Sequence, residues 1–249
     1  MRPPLGPPIV AHVLLLERDD GLMLVDTALG TGDLADPQRL GPEFRFAVRP
    51  VLDAAEPAIA QIRALGLDPA AVTDIALTHL DLDHAGGLSD FPAAQVHVHA
   101  RELAAARKPR LPERMRYVSD QWAHAPRWVT YDEAGEEWFG FGAVRAVGDD
   151  VLLIPLPGHT RGHNGVAVRR DDGHWLLHAG DAFFAAGQLA SPPTCPWSLA
   201  AFQRLVAIDN RARLDNLARL QELARSRGDE VTVFCAHDQR QYEALRSSS

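Results

Sequence analysis

Four short apolar runs of this chain each end on a histidine or an aspartate, and this repeated ending constrains the fold more than any other feature. The densest case is Thr78-His79-Leu80-Asp81-Leu82-Asp83-His84-Ala85-Gly86-Gly87, with four potential ligands within six residues after the run Ile75-Ala76-Leu77. Pro157-Gly158-His159-Thr160-Arg161-Gly162-His163 follows the second run, and Leu177-His178-Ala179-Gly180-Asp181 closes the third. Phe234-Cys235-Ala236-His237 closes the fourth. Burying carboxylates and imidazoles together is costly unless something compensates them, and a divalent cation does so. The glycines after His84 are expected to let the backbone turn tightly while the ligands converge. Read alone, the segment also admits Asp81 and Asp83 as loop carboxylates and His79 and His84 as helix caps.

The rest of the chain supplies the frame. Residues 10–17 and 22–26 are apolar runs separated by Arg18-Asp19-Asp20-Gly21, the pattern of a β-hairpin. After Asp26 comes a Gly- and Asp-rich loop. Residues 56–65 carry Ile59, Ile62 and Leu65 at helical spacing with Gly66 as C-cap. Residues 95–99, 151–156, 165–169, 175–178 and 231–235 read as further strands, with Asp171-Asp172-Gly173 as a turn. Residues 199–227 form the longest helical stretch, with Leu205, Ile208, Leu214, Leu217, Leu220 and Leu223 near one face. Between 101 and 150 the pattern loosens around Trp122, Trp128, Trp138, Phe139 and Phe141; this stretch either caps the core or forms a lid or insertion over the site. Strands and helices alternate in both halves, so residues 1–249 are expected to form one α/β domain.

Bulk properties narrow the class of function. A formal net charge of -8 argues against nucleic acid as partner. The basic stretch holding Arg101, Arg107, Lys108, Arg110, Arg114 and Arg116 reads as a solvated helix and loop face, or as a guide for an anionic substrate. Two cysteines, Cys195 and Cys235, make no disulfide framework. Prolines stand where a secretory signal would need an apolar stretch, and no segment approaches the roughly 20 apolar residues of a membrane span. A cytoplasmic protein acting on a small molecule is expected, with no membrane partner and with homodimer formation left open.

With these motifs in this order, the chain resembles the metallo-β-lactamase-fold hydrolases, which include glyoxalase II-like thioesterases and acyl-homoserine lactonases. The likeness runs from about Val10 to His237. It implies an αββα sandwich of two mixed β-sheets flanked by helices, with a dinuclear metal centre at one edge. It places His79, Asp81 and His159 on a first ion, Asp83, His84 and His237 on a second, and Asp181 on both. Asp26 matches an early aspartate that orients ligands. The implied chemistry is attack of a metal-bridging hydroxide on an ester, lactone or thioester carbonyl, with Asp83 and Asp181 as catalytic residues.

Two departures from the family pattern carry weight. The usual HxHxDH reads HxDxDH here, Asp81 standing in place of a histidine. The added negative charge implies a more electron-rich site, with zinc as the expected pair of ions and manganese or iron as alternatives. The flavo-diiron proteins carry a carboxylate at the same place, so a non-haem iron oxidoreductase is the competing activity. A non-catalytic metal-binding member of the same fold is the third reading. The second departure is Phe184, where acyl-homoserine lactonases place a tyrosine three residues after the bridging aspartate; lactone hydrolysis would here need another polar group in place of that tyrosine. His163, four residues after His159, is read as supporting the site without ligating, and His97 and His99 as ordinary strand histidines.

Overall fold

Alternation along the strands sorts the apolar side chains into three layers. In the computed structural model, which describes residues 1, 3, 7–132 and 135–247, one sheet joins β1 (Leu14–Arg18), β2 (Gly21–Val25), β3 (Val72–Ala76), β4 (Gln95–His99) and β5 (Arg127–Tyr131) in that order. The β1–β2 pair is antiparallel and the remaining pairs are parallel. The second sheet holds β6 (Glu136–Trp138), β7 (Phe141–Val147), β8 (Val151–Pro155), β9 (Asn164–Arg169), β10 (Trp175–His178) and β11 (Val231–Phe234). Its pairs are antiparallel except β10 with β11.

Because successive side chains of a strand point to opposite faces, Met23 and Val25 of β2 meet Val151 and Leu153 of β8 and Val166 and Val168 of β9 between the sheets. Leu22 and Leu24 turn outward instead and pack with Ile62 and Leu103. The helices are α1 (Thr31–Ala35), α2 (Pro42–Val48), α3 (Ala58–Ala64), α4 (Ala100–Arg107), α5 (Trp197–Val206), α6 (Asn210–Ser226) and α7 (Gln239–Arg246). Ile62 of α3 and Leu103 of α4 therefore cover the outer face of the first sheet. Leu217, Leu220 and Leu223 of α6 cover the second, against Leu152, Ile154, Leu177 and Val233. Leu220 is fully buried, and burying one such leucine contributes roughly 1.5–3 kcal/mol. These layers make the αββα sandwich that the motifs implied.

Three local readings change. The stretch 199–227 is two helices, because Ile208 N–H donates to the His159 carbonyl at 3.1 Å and Asp209 N–H to that of Gly158 at 2.9 Å. Asp209 then caps α6 by accepting from Ala212 N–H. Leucine periodicity runs through this break, which the docking of residues 158 and 159 imposes. The loop after Asp26 contains α1 and α2, and residues 101–150 contain most of α4 and β5 to β7. Trp122 and Trp128 pack on the first core, while Trp138 and Phe141 belong to the second. Among the described residues, no helix is long and apolar enough to cross a membrane.

Candidate metal centre

The chain leaves β2, β3, β8, β10 and β11 at one edge of the sandwich, and each exit carries site residues. The exits are tied together: Asn164 N–H donates to the Thr78 carbonyl at 3.0 Å and its amide to that of Leu77 at 3.1 Å, while Ala236 N–H donates to the Gly180 carbonyl at 3.1 Å. The glycines after His84 act differently from the expectation. Gly86 and Gly87 are not among the residues with positive φ. A side chain on Gly87 would meet the Thr27 carbonyl oxygen at 2.8 Å, so what they permit is close approach of the β2 exit. Gly180 is a left-handed glycine, at φ 51°, and a Cβ there would also lie 2.7 Å from His163 Nε2.

The structure gathers all seven expected residues. His79, His159 and Asp181 form one group of candidate ligands and Asp83, His84 and His237 a second; within each group the ligand atoms lie within 4.8 Å of one another. Asp181 stands between them. Its Oδ2 is 3.9 Å from His79 Nε2 and 3.3 Å from His159 Nε2, and its Oδ1 is 3.4 Å from His84 Nε2 and 3.0 Å from His237 Nε2. Asp81 borders the first group, with Oδ2 2.9 Å from His159 Nε2 and 3.5 Å from His79 Nε2. All are buried except Asp83, which is partly open to solvent.

Partners on the far side of the imidazoles aim the lone pairs inward. Thr78 Oγ1 donates to Asp26 Oδ2 at 2.7 Å and so accepts from His79 Nδ1 at 2.9 Å. His84 Nδ1 donates to Asp26 Oδ2 at 2.8 Å, and His237 Nδ1 to the Val10 carbonyl at 2.7 Å. The Nε2 atoms thereby face the centre, and those of His79 and His84 are buried without a hydrogen-bond partner. Unpartnered buried nitrogens aimed at shared carboxylates are what a divalent ion satisfies, so these residues fit one.

Electrostatics follow from this crowding. Burial pushes the Asp181 carboxyl up, but His237, His84 and His159 more than reverse it and hold it well below the usual range. Burial disfavours the charged form of His84, yet Asp181 and Asp26 raise it well above the ordinary imidazole value. His237 is raised in the same way, against burial, chiefly by Asp181. Burial, reinforced by His79 and His159, keeps His163 neutral; its Nδ1 donates to the Leu156 carbonyl at 3.0 Å and its Nε2 accepts from Asp181 N–H at 2.9 Å. His163 thus fixes the backbone of Asp181 and does not join the ligand cluster. His97 is bonded to Asp74 and Tyr131, and His99 caps α4.

Two neighbours were invisible to motif reading. Arg116 comes from the basic stretch but is turned inward: its Nε lies 2.8 Å from Asp81 Oδ1 and its Nη2 donates to Oδ2 at 2.8 Å. Burial raises the Asp81 carboxyl, and Arg116 with His79 and His159 outweighs this to hold it well below the usual range. Glu102 of α4, fully buried, accepts from Leu80 N–H, Tyr117 Oη, Thr160 Oγ1 and Gly162 N–H. The only signal for Glu102 was an acid within a basic helix; Arg116 stood out only as one cation of the basic stretch, and it is neither a solvated face nor free for an anionic substrate, since Asp81 holds it. Phe184 places its ring 4.8 Å from that of His237 and 6.0 Å from that of His159, making an apolar wall continued by Phe202 at 6.1 Å.

A two-sheet sandwich that collects imidazoles and carboxylates at one edge has the makings of a metal centre, and likeness to known proteins assigns it to the metal-dependent hydrolases. The chain belongs to the metallo-beta-lactamase superfamily, whose family model matches residues 6–237. It is 44% identical to a probable metallo-hydrolase of Mycobacterium tuberculosis, over 98% of this chain and 79% of that one. It is 27% identical to the N-acyl homoserine lactonase AttM of Rhizobium johnstonii, over 68% of this chain and 64% of the relative. Among solved structures, an N-acyl homoserine lactone hydrolase with N-hexanoyl-L-homoserine at its catalytic metal centre matches with a TM-score of 0.73 at 20% identity, covering 95% of this chain and 84% of that one. AidC, a dizinc quorum-quenching lactonase, matches at 0.64 and 17%, covering 93% and 73%. At these identities the structural likeness speaks for the fold.

Proposed function

We propose that the chain holds two divalent ions and hydrolyses an ester, lactone or thioester of a small, partly apolar substrate. His79, Asp81 and His159 would hold the first ion, Asp83, His84 and His237 the second, and Asp181 would serve both. The observation that carries this reading is the placing of Asp181 between the two groups: Oδ2 lies 3.3 Å from His159 Nε2 and 3.9 Å from His79 Nε2, Oδ1 lies 3.4 Å from His84 Nε2, and His237 Nε2 lies 3.0 Å from Oδ1 and 3.2 Å from Oδ2. Bound there, the ions would acidify a water and polarise the substrate carbonyl.

The chain's own residues do the rest. Asp26, Thr78 and the Val10 carbonyl hold three imidazoles so that Nε2 is the free nitrogen. Asp83 is the site carboxylate with access to solvent, and is placed to take up a proton and pass it outward. The rings of Phe184 and Phe202 offer an acyl group or ring a surface that excludes water. Phe184 has no hydroxyl to assist a carbonyl, which favours esters and thioesters over a lactone turned over by that assistance. Zinc is the proposed ion, and the proposed setting is the cytoplasm.

The test is elemental analysis of the purified protein coupled to assays of the same sample on chromogenic esters, lactones, thioesters and β-lactams. Two ions per chain with hydrolysis in one class is the expected result. One ion or none, or iron with oxygen-dependent turnover and no hydrolysis, would overturn the reading.

A further inference from the structure

We infer that Arg116 is a positioning residue of the metal centre, a built-in counter-cation that offsets the charge of Asp81 and sets how that carboxylate faces the first group of ligands. The inference rests on the two-ion reading proposed above.

Three carboxylates, Asp81, Asp83 and Asp181, converge on the cluster, and Arg116 reaches it through Asp81 and His159. Its side chain is 12% exposed, too dry for a solvated surface cation. One guanidinium makes every contact: Nε and Nη2 flank the two oxygens of Asp81, Nη1 donates to the His159 carbonyl at 2.8 Å, and Nη2 lies 3.1 Å from His159 Nε2. It therefore touches two members of the candidate ligand cluster and the backbone of one. Its own carbonyl accepts from Leu82 N–H at 3.1 Å, so the arginine is fastened to the same loop that carries Asp81. The planar fork of arginine holds a carboxylate in one orientation, which a lysine cannot do. Two ions beside three carboxylates and this cation have a different charge balance from two ions beside the carboxylates alone. Asp81 and Arg116 should then behave as one unit: removing the acid alone strands a buried cation beside the ions, and removing both relieves it.

Two other roles fit the same contacts. Arg116 could be a plain strut between the loops at 78–84 and 157–163, or its guanidinium could stand in for the first ion. A double-mutant cycle separates them. Metal-stripped wild type, Asp81→His, Arg116→Met and the double variant are titrated with Zn²⁺ and Mn²⁺ in competition with a chelator, with ions per chain counted by elemental analysis. Thermal melts of the stripped proteins report folding, and Asp81→Asn with its Arg116→Met partner repeats the cycle with a near-isosteric residue. Asp81→His or Asp81→Asn should weaken one of two ions by about tenfold or more, and adding Arg116→Met should recover most of that loss. A double variant that binds no better than the single one in both series leaves only a strut. A wild type that saturates at one ion makes the guanidinium a substitute, which equally overturns the proposal. None of these readouts involves a substrate: recovery of binding in a chain that hydrolyses nothing would sink the proposed activity and leave this inference standing.

Discussion

Asp26 and His84 meet through a 2.8 Å contact between Oδ2 and Nδ1, although 57 residues lie between them in sequence. The same carboxylate accepts from Thr78 N–H at 2.8 Å and from Thr78 Oγ1 at 2.7 Å, so one buried side chain sets the orientation of His84 directly and of His79 through Thr78. Asp26 itself stands at φ 58°, a left-handed conformation that non-glycine residues rarely adopt and that aspartate and asparagine tolerate best. Its geometry is held by β2 and β3, since its N–H donates to the Ala76 carbonyl at 2.9 Å.

Asp26→Ala should therefore lower metal affinity by roughly 10–100-fold, the usual consequence of losing the partner of a ligating histidine. Asp26→Asn keeps the backbone preference and one acceptor, and should fall between the two. Chelator competition on the stripped proteins measures both. Wild-type affinity in Asp26→Ala would show that the imidazoles need no such holder.

Glu102 predicts a stability effect in place of a chemical one. Its carboxylate accepts from Leu80 N–H at 3.0 Å, between His79 and Asp81, and from Thr160 Oγ1 at 2.6 Å, next to His159. Glu102→Ala leaves four buried donors unpaired and should cost about 3 kcal/mol or more. Glu102→Gln retains one carbonyl acceptor and should cost about half as much. Urea unfolding of the metal-free variants gives both values; a change below about 0.5 kcal/mol for alanine would mean that water replaces the carboxylate without loss.

The layers and four of the ligand-bearing exits were legible because both rest on short-range patterns. A short continuous apolar run such as Leu22 to Val25 announces a buried strand, and a His or Asp just past its end is visible without any tertiary knowledge. Arg116 was not legible, since its partner Asp81 lies 35 residues away and nothing local distinguishes it from Arg110 or Arg114. The break at 207–209 was hidden for a related reason: Leu205 and Ile208 continue the helical spacing, while the backbone donors of Ile208 and Asp209 are claimed by the loop at 158 and 159. Sequence therefore exposed what each segment prefers and missed the places where a distant loop overrides it.

The acid limb of stability should be set in part by His12. Burial, reinforced by His178, lowers this imidazole from 6.5 to about 3. Its ring is packed 5.0 Å from Phe234 and 5.2 Å from Tyr242, and Nδ1 is buried without a partner. The folded state thus keeps His12 neutral while the unfolded chain takes up a proton below 6.5, so stability falls as pH drops from 6.5 towards 3. His12→Phe removes that linkage and an unsatisfied polar atom while keeping an aromatic ring. Melts of the metal-free protein between about pH 7 and pH 4 should show a shallower decline for the variant. Parallel curves would place the acid sensitivity elsewhere.

Metal uptake should release protons. In the metal-free chain both His84 and His237 are raised above 6.5: burial opposes the charge on each, but Asp181 outweighs it, helped by Asp26 at His84 and by Asp83 at His237. A group raised on folding stabilises the metal-free fold fully below 6.5, and that contribution is lost as pH climbs through the folded value. An ion competes for the same Nε2 atoms and must displace the protons first, so affinity should rise with pH by up to about one order of magnitude per pH unit for each proton lost. Calorimetric titration near pH 7 in buffers of different ionisation enthalpy counts those protons, and at least one is expected for the wild type. Asp181→Ala removes the charge that raises both imidazoles, so it should reduce the proton count together with the number of ions held and abolish turnover. Proton release unchanged in Asp181→Ala, with both ions still bound, would show that the two imidazoles answer to another charge and that Asp181 is not shared between the two groups.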